Sequence, residues 1–526
     1  MKQYIILAAI AIASLVAKAQ GPINTLWHLE PNNKKGNSGI GLAEAQEMVK
    51  GKTATTVVVA IADAGVDIYH PDLKTMLWTN TGEITDNGID DDKNGYVDDI
   101  NGWNFLGETT YDNMELTREY ARLNTIYELK DIDATKNQEE YVRYQTLKEA
   151  YLSESQEAKF YFEIFEQVEV GMELLEKEYG SSPTKDQLAN HKSKSRSEQI
   201  TTQILQGIIK DSKEFDYAAV KEEMEGAYEQ YDFMHNYGFN LAFNPRTEKV
   251  GDDYSNPNEQ GYGNNKVYYG EEFSEHGTHV AGIVAADASN GFGTKGICQS
   301  CEIMSIRNVP QGDERDKDVA NGIQYAVDNG AKIVNMSFGK SYAQNTEVVK
   351  EAIRYAESKN VLLIHAAGND GKNNDNSENY PNDFNGEFNN WIEVGASSWQ
   401  KKPKALADFS NYGAAEVDLF APGVAIYSTT PENQYEAFDG TSMASPVVSG
   451  VAAFIWSYYP SLTAVELKKI LLDSAIPIKG RNHIPGARKK HFYSRIPRTC
   501  VSEISKTGGQ VNLPGALRLA EERTNK

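Results

Sequence analysis

The chain has 526 residues, which is enough for several domains and a large buried core. Its 52 basic and 75 acidic side chains give a formal net charge of −23. This charge argues against binding to nucleic acid or to an anionic membrane surface.

The first residues have the three parts of a secretory signal peptide. A basic start at Lys2 is followed by an apolar run over 5–16 and a small-x-small cleavage site after Ala19. A transmembrane anchor is the alternative, but the run is short for a membrane span. We expect residues 1–19 to be removed and the mature chain, without a membrane span, to be exported to the periplasm or beyond. Residues 20–50 are expected to form an N-terminal strap.

A continuous run of Val, Ala and Ile over 57–62 predicts a strand that is buried on both faces, as in a parallel sheet covered by helices. Asp63 follows directly. The carboxyl ends of the strands are where open α/β sheets place their ligands, so Asp63 is a candidate functional residue.

An acidic loop over 86–99 has the pattern Asp-x-Asp-x-Asn-Gly-x-x-Asp, which places oxygen ligands at alternate positions around a glycine turn. Position twelve of the loop is Asn101 and not Glu, so it is not a complete EF-hand. A solvated acidic loop is the alternative. We expect a structural calcium ion, held by Asp90, Asp92, Asn94, the carbonyl of Tyr96, and Asp98.

Residues 107–250 differ in character from the rest: they are charged, rich in Tyr and poor in Gly and Pro. The spacing of their apolar residues predicts a helical insertion with a heptad seam that ends at Gly180. The insertion could be a lid, an exosite or a docking arm for a protein partner. A helical pair packed passively on the flank is the alternative. The predicted seam comprises Tyr144, Leu147, Tyr151, Ala158, Tyr161, Phe165, Val168, Met172, Leu175 and Tyr179.

Two later blocks complete a pattern with Asp63. The block His-Gly-Thr-His-Val-Ala-Gly begins at His276, which we place at the start of a helix after a polar linker over 252–275. The block Gly-Thr-Ser-Met-Ala-Ser-Pro begins at Gly440 and predicts a tight turn that places Ser442 at the N-terminus of a buried helix. An N-cap serine is the structural alternative for Ser442.

The order Asp, His, Ser and these two blocks resemble the subtilisin-like serine peptidases, or subtilases, over about 51–106 and 271–475. The nucleophile-elbow hydrolases and the chymotrypsin-like enzymes have other orders. One position departs from the family: Ala64 stands where a Ser or Thr usually follows the aspartate. The resemblance implies a three-layer α/β fold, doubly wound around a mainly parallel sheet. The inserted α-helical subdomain predicted over 107–250 is a departure from the family.

The resemblance also implies roles for other residues. A strand over 361–369 ends in Asn369, whose amide is expected to bind the oxyanion of an acyl-transfer intermediate. Asp72 resembles a calcium ligand of the family, with a helical turn as the alternative, and His365 is expected to be a packed core residue. The substrate cleft and the wall of its specificity pocket are expected to comprise Ser337, Phe338, Gly339, Ala366, Ala367 and Gly368.

The three cysteines are Cys298, Cys301 and Cys500. In an exported protein the first two are expected to form a short-range disulfide, since zinc would need two further ligands. Cys500 is left over.

We therefore predict a signal peptide (1–19), a strap (20–50), a catalytic domain in two parts (51–106 and 251–526) and the insertion (107–250). The predicted activity is hydrolysis of peptide bonds in protein or peptide substrates by Ser442, His276 and Asp63. A catalytically silent exported scaffold acting through the insertion is the competing hypothesis. A lipase or esterase of another fold is a more distant rival.

Overall fold

The structure is a computed structural model that describes residues 25–31, 39–129, 137–211, 215–489 and 495–525. The predicted signal peptide lies outside the described residues, as does part of the predicted strap. The chain divides into two compact units. The described part of one covers 111–244, and that of the other covers 25–110 and 245–525, with the gaps given above.

The strands are β1 (Val57–Asp63), β2 (Gly102–Asn104), β3 (Cys301–Arg307), β4 (Ile333–Met336), β5 (Leu362–Ala366), β6 (Trp391–Ser397), β7 (Leu419–Pro422), β8 (Ile426–Thr430), β9 (Gln434–Phe438), β10 (Ile476–Pro477), β11 (Arg481–His483), β12 (Arg498–Cys500) and β13 (Gly509–Gln510). The α-helices are α1 (Leu42–Met48), α2 (Glu115–Asn124), α3 (Gln138–Tyr179), α4 (Lys185–Asn190), α5 (Arg196–Asp211), α6 (Tyr217–Phe233), α7 (Gly270–Ala285), α8 (Asp316–Asp328), α9 (Thr346–Ser358), α10 (Thr441–Tyr458), α11 (Ala464–Asp473) and α12 (Leu513–Thr524). Short 3₁₀ or π turns are Trp27–Leu29, Thr125–Leu129, Met234–Gly238, Arg246–Val250 and Val501–Glu503.

Among the described residues, nine strands form the main sheet of the larger unit, in the order β10-β13-β7-β6-β5-β4-β1-β3-β2. All neighbours are parallel except β10 and β13. Two small antiparallel pairs, β8 with β9 and β11 with β12, lie outside it. The carboxyl ends of β1 and β5 therefore open on the same edge.

Helices cover both faces of this sheet. Alternate side chains of β1 enter two separate cores, with Val59 and Ile61 in one and Ala60 and Ala62 in the other. Residues of α7, α10, α11 and α12 pack into the first core, and residues of α8 and α9 into the second. This arrangement confirms the predicted three-layer α/β fold with a mainly parallel sheet.

The helix α10 is buried along nearly its whole length, because its small residues allow close approach to the sheet. A polar network fixes its position. The side-chain oxygen of Asn335 on β4 accepts hydrogen bonds from Ser445 Oγ at 2.9 Å and from Ser449 Oγ at 2.8 Å. These partners satisfy groups that would otherwise be costly to bury. They hold the start of α10 above the carboxyl end of β4.

In the described residues of the smaller unit, every regular element is helical. Its long helix α3 begins at Gln138 and ends at Tyr179, where Gly180 follows. Most of the predicted seam is buried, and Phe165, Val168 and Met172 pack with α5 and α6 in one core. The inserted α-helical subdomain is thus confirmed. No helix in the described ranges combines the length and the apolar character needed to cross a membrane.

Candidate active site

Asp63 ends β1 and is almost fully buried. Its Oδ1 lies 2.8 Å from His276 Nδ1 and accepts the backbone N–H of Ala64 at 2.7 Å. Its buried Oδ2 has no hydrogen-bond partner among the described residues. Ala64 has no hydroxyl to offer this second oxygen.

His276 lies on α7, which begins at Gly270 and not at His276. The sequence-based start was wrong by six residues. The reason is that Glu271 and Glu272 fall in the first turn, where carboxylates favour the positive end of a helix. The histidine side chain is 41% exposed, so its Nε2 is accessible while Nδ1 is held by Asp63.

Burial lowers the pKa of His276, but the charge of Asp63 and its hydrogen bond raise that pKa more, and Glu275 adds a smaller increase. The net effect is a pKa above the ordinary value of 6.5. A carboxylate that accepts from Nδ1 also fixes the tautomer, leaving the lone pair on Nε2. This arrangement suits a general base.

Close backbone contact makes the Asp63–His276 bond possible. A Cβ atom built on Gly277 would lie 2.2 Å from the carbonyl oxygen of Gly65 and 3.1 Å from Asp63 Oδ1. The same contact is reinforced by Thr278, whose Oγ1 accepts the backbone N–H of Asp67 at 2.8 Å. Any side chain at position 277 would force the helix away from the end of β1.

Ser442 is the second residue of α10. Its Oγ donates to the carbonyl oxygen of Ser337 at 3.1 Å, and Ser337 Oγ donates to the carbonyl oxygen of Ser442 at 2.9 Å. The described structure has no hydrogen bond between Ser442 and His276. It brings together Asp63 with His276, and separately Ser442 with the predicted cleft residue Ser337.

Asn369 follows β5, and its amide orientation is fixed by one neighbour. Its Oδ1 accepts both the backbone N–H and the hydroxyl of Thr441, each at 2.9 Å. The hydroxyl oxygen of Thr441 in turn accepts the N–H of Gly368 at 3.1 Å. Because Oδ1 is engaged, the exposed Nδ2 is the group available to a ligand.

A cleft of about 300 Å³ lies beside Ser442 and Asn369. Five of the six predicted substrate-binding residues line it, and the sixth, Ala367, does not. Further lining residues are Lys340, Ser341, Asp370, Asn379 and Thr441. Sequence analysis missed Asn379 and Thr441, although Thr441 stands inside the Gly-Thr-Ser block.

The acidic loop brings Asp90 and Asp92 together with Glu83, a residue that the sequence pattern did not include. One carboxylate oxygen of each lies within 4.8 Å of the others. The carboxylate of Asp98 accepts the backbone N–H groups of Asn87 and Gly88, at 3.1 and 2.8 Å. The carboxylates of Asp90 and Asp92 also accept backbone N–H groups, from the loop residues Asn94 and Gly95.

Two other predicted ligands also make internal hydrogen bonds. Asn94 Oδ1 accepts the N–H of Tyr96 at 2.8 Å. Asp72 accepts from Asn290 Nδ2 at 2.7 Å and from the N–H of Thr294 at 3.0 Å.

Cys298 and Cys301 form the expected disulfide, and Cys500 is free and exposed. His365 is fully buried, as expected. Its Nδ1 lies 3.0 Å from an oxygen of Glu393, which faces it from the neighbouring strand β6.

This fold and this arrangement of residues can be compared with known proteins. A sequence model described as the subtilase family of peptidases matches residues 54–500, which is most of the chain. The chain therefore belongs to the subtilase family. By class it is a subtilisin-like serine-type endopeptidase.

Individual relatives match shorter stretches. Subtilisin DY of Bacillus licheniformis is 36% identical over 39% of this chain and 72% of its own length. The thermophilic serine proteinase of Bacillus sp. (strain AK1) is 35% identical over 44% of this chain and 56% of its own length. Among solved structures, one of proteases from Pseudoalteromonas arctica PAMC 21717 covers 94% of this chain and 97% of its own, with a TM-score of 0.47 and 18% identity.

Proposed function

We propose that this chain is an exported endopeptidase that cleaves peptide bonds through Asp63, His276 and Ser442. The observation that carries the proposal is the 2.8 Å contact between Asp63 Oδ1 and His276 Nδ1 on the sheet edge that also carries Asn369. In a parallel sheet with this order of residues, a buried aspartate that contacts a histidine favours a catalytic role over a structural one.

In the proposed mechanism the Ser442 hydroxyl leaves the carbonyl oxygen of Ser337 when a peptide enters the cleft. His276 Nε2 takes the hydroxyl proton as Oγ attacks the scissile carbonyl carbon. His276 then delivers that proton to the leaving amine, and the acyl-enzyme is hydrolysed by water activated in the same way. Asp63 holds the ring and stabilises its positive charge.

The oxyanion of the tetrahedral intermediate would be bound by Asn369 Nδ2 and by the backbone N–H of Ser442. The latter group is at the positive end of α10, where the first N–H groups have no partner within the helix. Thr441 contributes indirectly, because its two hydrogen bonds keep Asn369 Nδ2 directed away from α10.

The test is labelling of the purified chain with a fluorophosphonate probe, beside Ser442→Ala and His276→Ala. We expect labelling of the parent and none of Ser442→Ala, with both variants losing about 10⁶ in kcat on peptides. Ser457→Ala is a matched control, because it changes a buried serine near the other end of the same helix, whose hydroxyl donates to the carbonyl oxygen of Phe454 within that helix. If folded parent protein is not labelled by the probe, the result would favour the hypothesis of a catalytically silent scaffold.

We also propose that the acidic loop binds a structural calcium ion. Glu83, Asp90 and Asp92 fit such an ion, since three carboxylate oxygens this close repel one another without a cation. Calcium would neutralise them and stabilise the fold. At a calcium concentration 100 times Kd, the stabilisation would be about 2.7 kcal/mol.

The measurement is thermal unfolding with calcium or with a chelator. We expect the chelator to lower Tm for the parent and to leave Asp92→Asn unaffected. Asp86→Asn, an exposed residue of the same loop outside the cluster, should respond like the parent. Equal Tm values for the parent under both conditions would contradict the calcium proposal.

Export and domain division remain part of the proposal. We propose cleavage after Ala19, and N-terminal sequencing of secreted protein should then begin at Gln20. The catalytic domain would comprise 51–106 and 251–526, with the strap before it and the insertion between its parts. An intact N-terminus on exported protein would contradict the signal peptide.

The helical insertion is proposed to act on large substrates or on a protein partner. Its described part has its own apolar core, which is a requirement for folding as a module. Replacing residues 111–244 with a short turn should leave cleavage of small chromogenic peptides intact and change selectivity for folded proteins, because the buried pairs of Arg246 with Asp252 and Asp318 are kept. Unchanged selectivity would make the insertion a passive element.

A further inference from the structure

The cleft contains an amide side chain that belongs to neither the triad nor the oxyanion site. Asn379 lines the cleft together with Gly339, Gly368 and Ser442. Its Nδ2 donates to the carbonyl oxygen of Ala366 at 3.2 Å and points to Glu393 Oε1 at 3.5 Å. These contacts fix which end of the amide faces the cleft.

The other end, Oδ1, lies against the cleft wall. A Cβ atom built on Gly339 would be 2.5 Å from it, and one built on Gly368 would be 3.7 Å away. Both wall residues lack a side chain, so nothing on them shields the oxygen. Asn379 Oδ1 accepts no hydrogen bond from any residue in the described ranges.

Glu393 lies behind this amide and is buried, with 4% exposure. It also accepts hydrogen bonds from Trp391 Nε1 at 3.0 Å and lies 3.0 Å from His365 Nδ1. A carboxylate that accepts from one end of an amide polarises it and makes the carbonyl end a stronger acceptor. The buried cluster therefore both orients Asn379 and increases the negative charge on Oδ1.

Two charged side chains, those of Lys340 and Asp370, also line the cleft. The ammonium of Lys340 is buried and directed away to Asp316 at 2.7 Å and to the carbonyl oxygen of Glu314. Asp370 is exposed at the cleft, with Lys372 3.7 Å away. Neither side chain therefore presents an unpaired positive charge to a group that enters the cleft.

We propose that Asn379 is a specificity-determining residue that selects peptides whose side chain before the scissile bond ends in an N–H donor. Glutamine and lysine share that chemistry, through an amide and an ammonium respectively. Glutamate, which can only accept and is negatively charged, would leave Oδ1 unpaired and meet repulsion. This inference rests on the proposed function, since it assumes that the cleft holds the peptide beside Ser442.

The test uses the full chain and fluorogenic peptides that differ only in the residue before the cut, which is Gln, Lys, Met or Glu. These four side chains have similar length. We expect kcat/KM for Gln or Lys to exceed that for Met by about 10-fold or more, and Glu to be the poorest substrate. Comparing kcat/KM for the Gln and Lys substrates tells whether the site prefers an amide or an ammonium as the N–H donor.

Two variants test whether Asn379 causes the preference for N–H donors. Asn379→Ala should close the gap between Gln and Met, while Asn376→Ala, an exposed asparagine of the same loop outside the cleft lining, should keep it. If Asn379→Ala does not fold, the parent series still decides: Met equal to or better than both Gln and Lys overturns the inference.

Fluorophosphonate labelling distinguishes failure of the proposed role of Asn379 from failure of the proposed function. Parent protein that labels at Ser442 but shows no preference for N–H donors refutes only the role of Asn379. A preference that survives in folded Asn379→Ala also refutes it. Parent protein that does not label refutes the proposed mechanism itself.

Discussion

The contact between α7 and the end of β1 gives a sharp prediction for Gly277→Ala. A Cβ atom at this position would be 2.2 Å from the carbonyl oxygen of Gly65, whereas real Cβ atoms keep at least 3.0 Å. Helix and turn must therefore separate by about 1 Å for an ordinary contact. The turn has little freedom to move, because the N–H of Val66 donates to Val267 at 3.0 Å and that of Asp67 to Thr278 at 2.8 Å.

The expected loss follows from that displacement. A separation of about 1 Å would lengthen the 2.8 Å contact between Asp63 and His276 beyond hydrogen-bond range. A misplacement of this size costs about 10²-fold in rate, which is about 2.7 kcal/mol of barrier. The loss should occur mainly in kcat.

The assay is the second-order rate of fluorophosphonate labelling, measured with thermal unfolding of the same samples. Gly226→Ala is the matched control, because this helical glycine of α6 has nothing within 4 Å of the added Cβ. It should label at the parent rate and be more stable by about 0.5–1 kcal/mol. Labelling of Gly277→Ala at the parent rate would refute the reasoning that close packing at this glycine sets the geometry of the triad.

Three further predictions concern the same site. Because the raised pKa of His276 keeps its imidazole protonated to higher pH, kcat/KM should fall on acidification with a midpoint above 6.5. Asp63→Asn should move that midpoint down. A midpoint below 6.5 for the parent protein would contradict this prediction. Ala64→Ser offers a donor to the unpaired Oδ2 of Asp63 and should stabilise the fold by about 1–3 kcal/mol, measured by chemical unfolding, whereas Ala64→Val should not. Thr441→Val should lower kcat about 2–10-fold with little change in KM, and Thr441→Ser should restore it; an effect confined to KM would exclude a role through Asn369.

The sequence predicted those features that depend on local pattern. The β-branched run before Asp63, the small-residue helix after Ser442 and the change of composition at 107 each carry their own signal. The family resemblance added the order of the proposed triad. Together these were enough for the fold class, the enzyme class and the helical insertion.

Features that depend on register between distant strands were not predicted. Glu393 meets His365 only because β5 and β6 pair in a particular register, and no spacing along the chain reveals it. Glu83 joins Asp90 and Asp92 through a fold of the loop that the alternating pattern does not encode. The orientation of the Asn379 amide likewise follows from contacts with Ala366 and Glu393, which are 13 and 14 residues away.

The larger unit pairs its own backbone segments just before and just after the insertion, and this pairing has a consequence for folding. The N–H of Glu108 donates to the carbonyl oxygen of Lys249 at 2.9 Å, and Asn104 forms an antiparallel bridge with Asn264. These contacts form a short stem within one unit, so its chain leaves and returns at nearly the same point. In polymer terms, closing this loop costs entropy that rises only with the logarithm of its length. The peptidase unit can therefore carry an insertion of variable length at this stem, and such a site is suited to exchanging one inserted module for another.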